Sequence, residues 1–79
     1  MKPVLYQIDV CPYCQKVRRA ADKLGIDIDV IDVPRDREAP LRQEIKNKSG
    51  VPTVPVMQFG DRYIGESDAI VAELESMAR

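Results

Sequence analysis

Cys11-Pro12-Tyr13-Cys14 is the stretch that decides the fold, because it joins an apolar run, Val4 to Val10, to a helical pattern that begins at Pro12. These are the only two cysteines, and their spacing brings both sulfurs together on one helical turn. At a helix N-terminus the first thiol is surrounded by unpaired backbone N–H groups and the positive end of the helix dipole. Both effects favour the thiolate, the reactive form of cysteine. Pro12 suits this first turn, where its missing N–H has no partner to lose.

Two other roles for the cysteines compete with a redox pair. A structural disulfide is disfavoured, because a ring this short removes little chain entropy. A zinc site needs four ligands, and the chain has no histidine and no further cysteine to supply them. Within one chain the sequence therefore predicts no metal site. A zinc site shared between two chains of a dimer stays open as the non-enzymatic alternative.

Length and composition limit the classes of function. The 79 residues make one domain, 1–79, and 44% hydrophobic with 32% charged residues is ordinary for a soluble globular protein. The formal net charge of -1 gives no large field to attract nucleic acid or an anionic membrane. The N-terminus does not look like a signal peptide, and no apolar run has membrane-spanning length. We therefore expect a cytoplasmic protein without nucleic acid or membrane partners.

The periodicity of apolar residues predicts four strands and three helices in the order βαβαββα, an α/β fold whose first strand, helix and second strand form a parallel, right-handed unit. The predicted strands are Val4–Ile8, Ile26–Asp32, Val56–Phe59 and Arg62–Ile64. The first helix is predicted from Pro12 to about Leu24, with Gly25 as its terminator. The cysteines thus follow the carboxyl end of the first strand, where α/β folds place their sites.

Capping residues predict where the other two helices begin. Asp36 is expected to cap a second helix that runs to about Lys48, with Pro40 in its first turn. Ser67 is the candidate N-cap of the last helix. The apolar stripe of that last helix is predicted to comprise Ile70, Leu74, Met77 and Ala78.

Two further motifs accompany the cysteines: Thr53-Val54-Pro55 before the third strand and Gly65-Glu66-Ser67-Asp68 before the last helix. With all three motifs at matching separations, the whole chain resembles the glutaredoxins of the thioredoxin fold. The resemblance implies a four-stranded mixed sheet flanked by three helices. It also implies a cis bond between Val54 and Pro55, which leaves the Val54 backbone available to pair with an extended thiol peptide.

The resemblance further implies a glutathione-dependent thiol-disulfide oxidoreductase that reduces protein disulfides and glutathione mixed disulfides. Cys11 is then the nucleophile and Cys14 the resolving thiol, with the higher pKa of the two. Glutathione is expected as the reducing co-substrate, with no tightly bound cofactor. Disulfide-containing or glutathionylated proteins are the expected partners, and we expect a monomer.

The residues implied to bind glutathione or substrate are Tyr13, Arg42, Thr53, Val54, Pro55, Ser67 and Asp68. Ser67 and Asp68 match the pair that holds the γ-glutamyl end, the backbone binding its carboxylate and the acid its amino group. Arg42 matches a position that contacts the glycine carboxylate. Each has a simpler alternative: Asp68 as an acid stabilising a first turn, Arg42 as a solvated helix residue and Tyr13 as an exposed aromatic.

The chain departs from the usual glutaredoxin pattern at three positions. Ile8 stands where many members carry lysine, and Pro52 stands where a basic residue is common. Both changes remove positive charge, so we expect a higher Cys11 pKa and a weaker hold on the glycine carboxylate. Glu66 replaces the second glycine of the usual pair and is expected to clash with the ligand or to reorient it.

These departures keep other functions open. The run from Glu66 to Ile70 is similar to the thiol-binding end of glutathione transferase N-terminal domains, although an enzyme of that kind is not expected without a second, helical domain. A thioredoxin-like disulfide reductase with another electron donor keeps the same chemistry. A dimer that holds an iron-sulfur cluster through Cys11 and two glutathiones is the third alternative. Pro12 argues against the cluster, since cluster-binding relatives mostly carry glycine there.

Overall fold

The computed structural model describes residues 2–78 of the chain and places seven elements in the predicted order. In chain order they are β1 (Val4–Gln7), α1 (Pro12–Leu24), β2 (Asp29–Asp32), α2 (Pro40–Ser49), β3 (Val56–Phe59), β4 (Arg62–Gly65) and α3 (Ser67–Met77). No helix within residues 2–78 combines the length and the apolar character needed to cross a membrane.

The four strands form one mixed sheet in the order β2-β1-β3-β4, which confirms the predicted thioredoxin-like α/β fold. β1 runs parallel to β2, with Val4 opposite Asp29, and antiparallel to β3, with Leu5 opposite Met57. β3 and β4 form a hairpin whose turn contains Gly60 at a φ of 62°. Because β1 is a central strand, the segment that leads to Cys11 leaves the sheet at its middle.

Successive side chains of β1 point to opposite faces of the sheet, and they belong to two hydrophobic clusters, one on each face. Leu5 points to the cluster that α1 and α3 cover, and Tyr6 packs against the cluster that α2 covers. The first cluster consists of Leu5, Val17, Ala21, Met57, Ile70 and Leu74. The buried members of the second are Val33, Ile45 and Val56. The sheet is thus packed on both faces, and α1 and α3 share one of them.

The second strand begins three residues later than predicted. Gly25 ends α1 with a left-handed φ of 70°, and the N–H of Ile26 donates to the carbonyl of Ala21 at 2.9 Å. Ile26 therefore belongs to the helix C-cap, and pairing with β1 starts at Asp29. Ile26 and Ile28 still pack against the core, so the apolar pattern correctly predicted that these side chains face the core. It was wrong in placing them in the paired part of the strand.

Asp36 does not cap α2. Its carboxylate accepts a hydrogen bond from the Glu38 N–H at 2.9 Å and its carbonyl accepts from the Ala39 N–H at 3.1 Å, which closes a turn ahead of the helix. Ala39 is the N-cap, and Pro40 lies in the first turn as predicted. The aspartate thus stabilises the approach to the helix and not the helix itself.

Two predictions for α3 were also wrong. Ser67 is the first helical residue, and the N-cap is Glu66, whose φ is 66°. Ile70 and Leu74 are fully buried as predicted, but Met77 and Ala78 are exposed. The cluster on which α3 packs contains no α3 residue beyond Leu74, so the last turn of the helix projects past it.

Candidate active site

Cys11 and Cys14 lie on the first turn of α1 with unequal access to solvent. Cys11 is the N-cap residue, Pro12 follows it at the start of the helix, and the Cys11 N–H donates to the carbonyl of Ile8 at 3.0 Å. Both cysteines are free thiols, Cys11 partly exposed and Cys14 fully buried. A substrate can therefore reach Cys11 first.

The surroundings of the two sulfurs shift their pKa values in opposite directions. Burial raises the pKa of Cys11, but hydrogen bonds from the backbone N–H and the thiol of Cys14 and from the backbone N–H of Tyr13 outweigh it and leave this pKa lowered. Burial, together with the hydrogen bond to Cys11 and the Cys11 charge, raises the pKa of Cys14 to about 11. Cys11 is thus set up as the thiolate and Cys14 as the thiol, as predicted.

The three sequence motifs meet at one groove of about 320 Å³. Its lining residues are Tyr13, Thr53, Val54, Pro55, Glu66, Ser67 and Asp68. The Val54–Pro55 peptide bond is cis, as predicted. Six of the seven residues predicted to bind glutathione or substrate therefore line a single groove beside the cysteines, and Arg42 does not.

Arg42 is held inside the protein by backbone carbonyls. The side chain is 8% exposed, and its Nη1 donates to the carbonyl oxygens of Pro34 at 2.8 Å and Arg35 at 3.3 Å. It lines a separate pocket of about 150 Å³ with Lys46 and Pro52 among its neighbours. The guanidinium therefore fastens α2 to the segment after β2, and any contact with glutathione would use its remaining N–H groups.

Two residues of the site were not predicted as functional. Glu66 lines the groove as an exposed carboxylate, although the sequence predicted only that it clashes with the ligand or reorients it. Lys16 of α1 forms an ion pair with Asp68 of α3. The sequence signal for Glu66 is its position directly before Ser67. The sequence alone has no signal for Lys16, because its partner lies 52 positions away.

The departure at Ile8 has a structural counterpart. Ile8 packs against the cluster that contains Val33, Ile45 and Val56, so this position contributes to the core beneath α2. No group of three or more histidine, cysteine, aspartate or glutamate side chains within residues 2–78 is arranged to hold a metal ion.

Comparison with known proteins agrees with this geometry. Residues 5–79 match the family model of the glutathione S-transferase N-terminal domain, and the domain belongs to that family. A glutaredoxin of Pseudomonas aeruginosa is 30% identical over 69 residues, which are 87% of this chain and 80% of that protein. The chain belongs to the glutaredoxin family. This glutaredoxin is accordingly a glutathione-dependent thiol-disulfide oxidoreductase.

Solved structures similar to this glutaredoxin include glutathione transferases. The trimeric glutathione transferase TDR1 of Leishmania superposes with a TM-score of 0.83 at 29% identity, covering 96% of this chain but 17% of the transferase. A glutathione transferase homologue of Drosophila mojavensis with bound glutathione gives a TM-score of 0.83 at 30% identity, covering 98% of this chain and 35% of that one. The glutaredoxin therefore spans only a minor part of these longer chains, and their transferase activity is not carried over to it.

Proposed function

We propose that Cys11 is the nucleophile and Cys14 the resolving thiol, and that the groove lined by Tyr13, Thr53 and Val54 binds glutathione. One observation supports this assignment: the pKa of Cys11 is lowered and that of Cys14 is raised, and both cysteines lie beside a groove that all three motifs form. A thiol with a lowered pKa next to a buried thiol with a raised pKa is the arrangement that suits disulfide exchange.

The first step is an attack of the Cys11 thiolate on the glutathione sulfur of a mixed disulfide. A bond forms between the two sulfurs, and the substrate leaves as a thiolate. A second glutathione thiolate then attacks the bound glutathione sulfur, which releases oxidised glutathione and restores Cys11. When the substrate is a protein disulfide, Cys14 attacks the sulfur of Cys11 and displaces the substrate thiolate, and two glutathiones later reduce the Cys11–Cys14 disulfide.

The groove and the pocket next to it together offer a separate group for each part of glutathione. The backbone N–H and C=O of Val54 can pair with the cysteinyl residue of the tripeptide. The first turn of α3, at Ser67 and Asp68, offers N–H groups and a positive dipole end to the γ-glutamyl carboxylate, and the Asp68 side chain suits its amino group. Arg42, in the neighbouring pocket with Lys46, is proposed to contribute positive charge toward the glycine carboxylate.

The remaining parts of the proposal follow from the same chemistry. Its protein partners are disulfide-containing or glutathionylated proteins, and glutathione is a co-substrate that comes and goes. A cytoplasmic location suits a pair of thiols that must be returned to the reduced form. We propose that the protein acts as a monomer, since both sulfurs and the three motifs that form the groove lie on one chain.

The test is steady-state reduction of a small glutathione mixed disulfide, coupled to glutathione and its reductase. We expect Cys11→Ser to abolish turnover and Cys14→Ser to retain it, because glutathione itself can resolve the intermediate on Cys11. Cys14→Ser should lose reduction of a protein disulfide. A wild-type protein that forms the Cys11–Cys14 disulfide reversibly but does not turn over with glutathione would assign the electrons to another donor.

A further inference from the structure

The carboxylate proposed to bind the amino group of glutathione already has a cationic partner. The Lys16 ammonium forms an ion pair with Oδ1 of Asp68 and donates a hydrogen bond to it. Lys16 lies on α1 five residues after Cys11, and Asp68 is the second residue of α3. The pair therefore bridges two helices at the end of the groove that Ser67 and Asp68 line.

An amino group entering this end of the groove has to compete with Lys16. Both are ammonium ions, and both are attracted to the Asp68 carboxylate, whose Oδ1 already accepts a hydrogen bond from Lys16. The side chains of Lys16 and Asp68 are 51% and 85% exposed, so water screens the pair and a ligand can displace it. Exposed pairs of this kind change an equilibrium by about two- to fivefold.

A second carboxylate keeps this end of the groove suitable for cations. Glu66 lines the groove two residues before Asp68, is exposed, and forms no salt bridge with any residue in the range 2–78. Two acids and one lysine leave a net negative charge there. Lys16 therefore weakens the attraction for an amino group without reversing it.

We propose that Lys16 is a specificity-determining residue: it competes with the ligand's amino group for Asp68 and lowers the protein's preference for thiols that carry a γ-glutamyl ammonium. This inference rests on the proposed function, in which Asp68 binds that amino group. The ion pair reduces the benefit of the amino group, and thiols that share the rest of the tripeptide are accepted nearly as well.

The test compares two probes that differ only in the amino group. A fluorescent peptide with one cysteine is prepared as a mixed disulfide with glutathione, or with glutaryl-cysteinyl-glycine, in which hydrogen replaces the γ-glutamyl amino group. The Cys11 thiolate attacks the tripeptide sulfur, a new sulfur–sulfur bond forms as the probe's disulfide breaks, and the peptide leaves as a thiolate. The second-order rate constant for peptide release is measured for each probe, and their ratio is the selectivity for the amino group.

We expect Lys16→Gln to raise this selectivity about threefold, through a faster reaction with the glutathione probe alone. Lys16→Arg keeps the charge and should keep the wild-type ratio. Lys23→Gln is the matched control. Lys23 lies on the same helix as Lys16, and both lysines line a second pocket, between α1 and α3, that is separate from the glutathione groove. In an Asp68→Asn background Lys16→Gln should raise the selectivity by less, since no carboxylate is left for Lys16 to occupy.

Two results would overturn the inference while leaving the proposed function intact. One is a Lys16→Gln protein that transfers both tripeptides but keeps the wild-type ratio. The other is an equal effect of Lys16→Gln with and without Asp68, which would make Lys16 a general source of positive field. If wild type transferred neither tripeptide faster than a free cysteine peptide does, the proposed function and the inference would both fall.

Discussion

Cys14 is buried, which raises its own pKa to about 11, whereas its backbone N–H and its thiol act against burial at Cys11 and help to lower the pKa of that residue. Burial raises the pKa of both sulfurs, but at Cys11 the donors of the first helical turn outweigh burial. A single negative charge is therefore stable on the sulfur that solvent can reach. The buried sulfur keeps its proton until Cys11 has reacted.

Removing the Cys14 thiol should raise the pKa of Cys11. In Cys14→Ala the backbone N–H groups of Tyr13 and Cys14 remain, but the side-chain donor is lost, so we expect a partial shift toward the ordinary value. The measurement is the rate of iodoacetamide alkylation of Cys11 as a function of pH. Cys14→Ser is the control, because its hydroxyl can still donate. Identical midpoints in wild type and Cys14→Ala would show that the thiol makes no contribution.

The raised pKa of Cys14 should make the reduced protein lose stability at alkaline pH. Burial raises this pKa from 9.0 to about 11, so folding favours the protonated form. The resulting stability is fully present below the unfolded value of 9.0 and is lost as pH rises toward about 11. Urea unfolding of reduced protein across this window should show the decline. In Cys14→Ser the decline should be smaller, whereas an equal decline would attribute it to other groups.

Gly65 should not tolerate a side chain. A Cβ at this position would lie 2.7 Å from Cγ2 and 2.8 Å from Cγ1 of Val51, closer than packed carbons come. Gly65→Ala is therefore expected to cost about 1 to 3 kcal/mol of unfolding free energy and to disturb the groove, since Val51 leads into Thr53. Adding Val51→Ala removes both γ-carbons and should recover much of the loss. Additive losses in the double variant would point to a different cause.

Arg42 should matter for stability before it matters for binding. Losing its hydrogen bonds to the carbonyls of Pro34 and Arg35 is expected to cost about 1.5 to 3 kcal/mol in Arg42→Gln. Arg42→Lys keeps a charge but not the fork of donors. If Arg42 also attracts the glycine carboxylate, Arg42→Lys should keep a lower KM for glutathione than Arg42→Gln does. Equal KM values in the two variants would confine Arg42 to its structural role.

The sequence predicted the ends of an element correctly where residues next to those ends in the chain determine them. α1 runs from Pro12 to Leu24 as predicted, because proline at its start and glycine after its end act within a few residues. The predicted strand at Ile26 was wrong, since the choice between a helix cap and a strand depends on the register with β1. Asp36 was misassigned because a turn and a helix cap use the same side-chain acceptor.

The sequence predicted those site residues that belong to the three motifs. The cysteines and the groove residues from Tyr13 to Asp68 follow from three short patterns, and the fold brings those patterns together. The environment of Arg42 and the pairing of Lys16 with Asp68 were not predictable, because each depends on elements that pack only in the folded protein. Charge alone does not tell a solvated residue from one that is held by distant partners.

The packing of Ile8 into the cluster beneath α2 means that the acidity of Cys11 in this protein comes chiefly from the backbone. No lysine at that position supplies charge, so the N–H groups of Tyr13 and Cys14 do so, and these are aligned only while the first turn of α1 is intact. The reactivity of Cys11 therefore reports whether the first turn of α1 is formed. Any mutation, denaturant or temperature that frays the start of α1 should lower the alkylation rate before the rest of the protein unfolds.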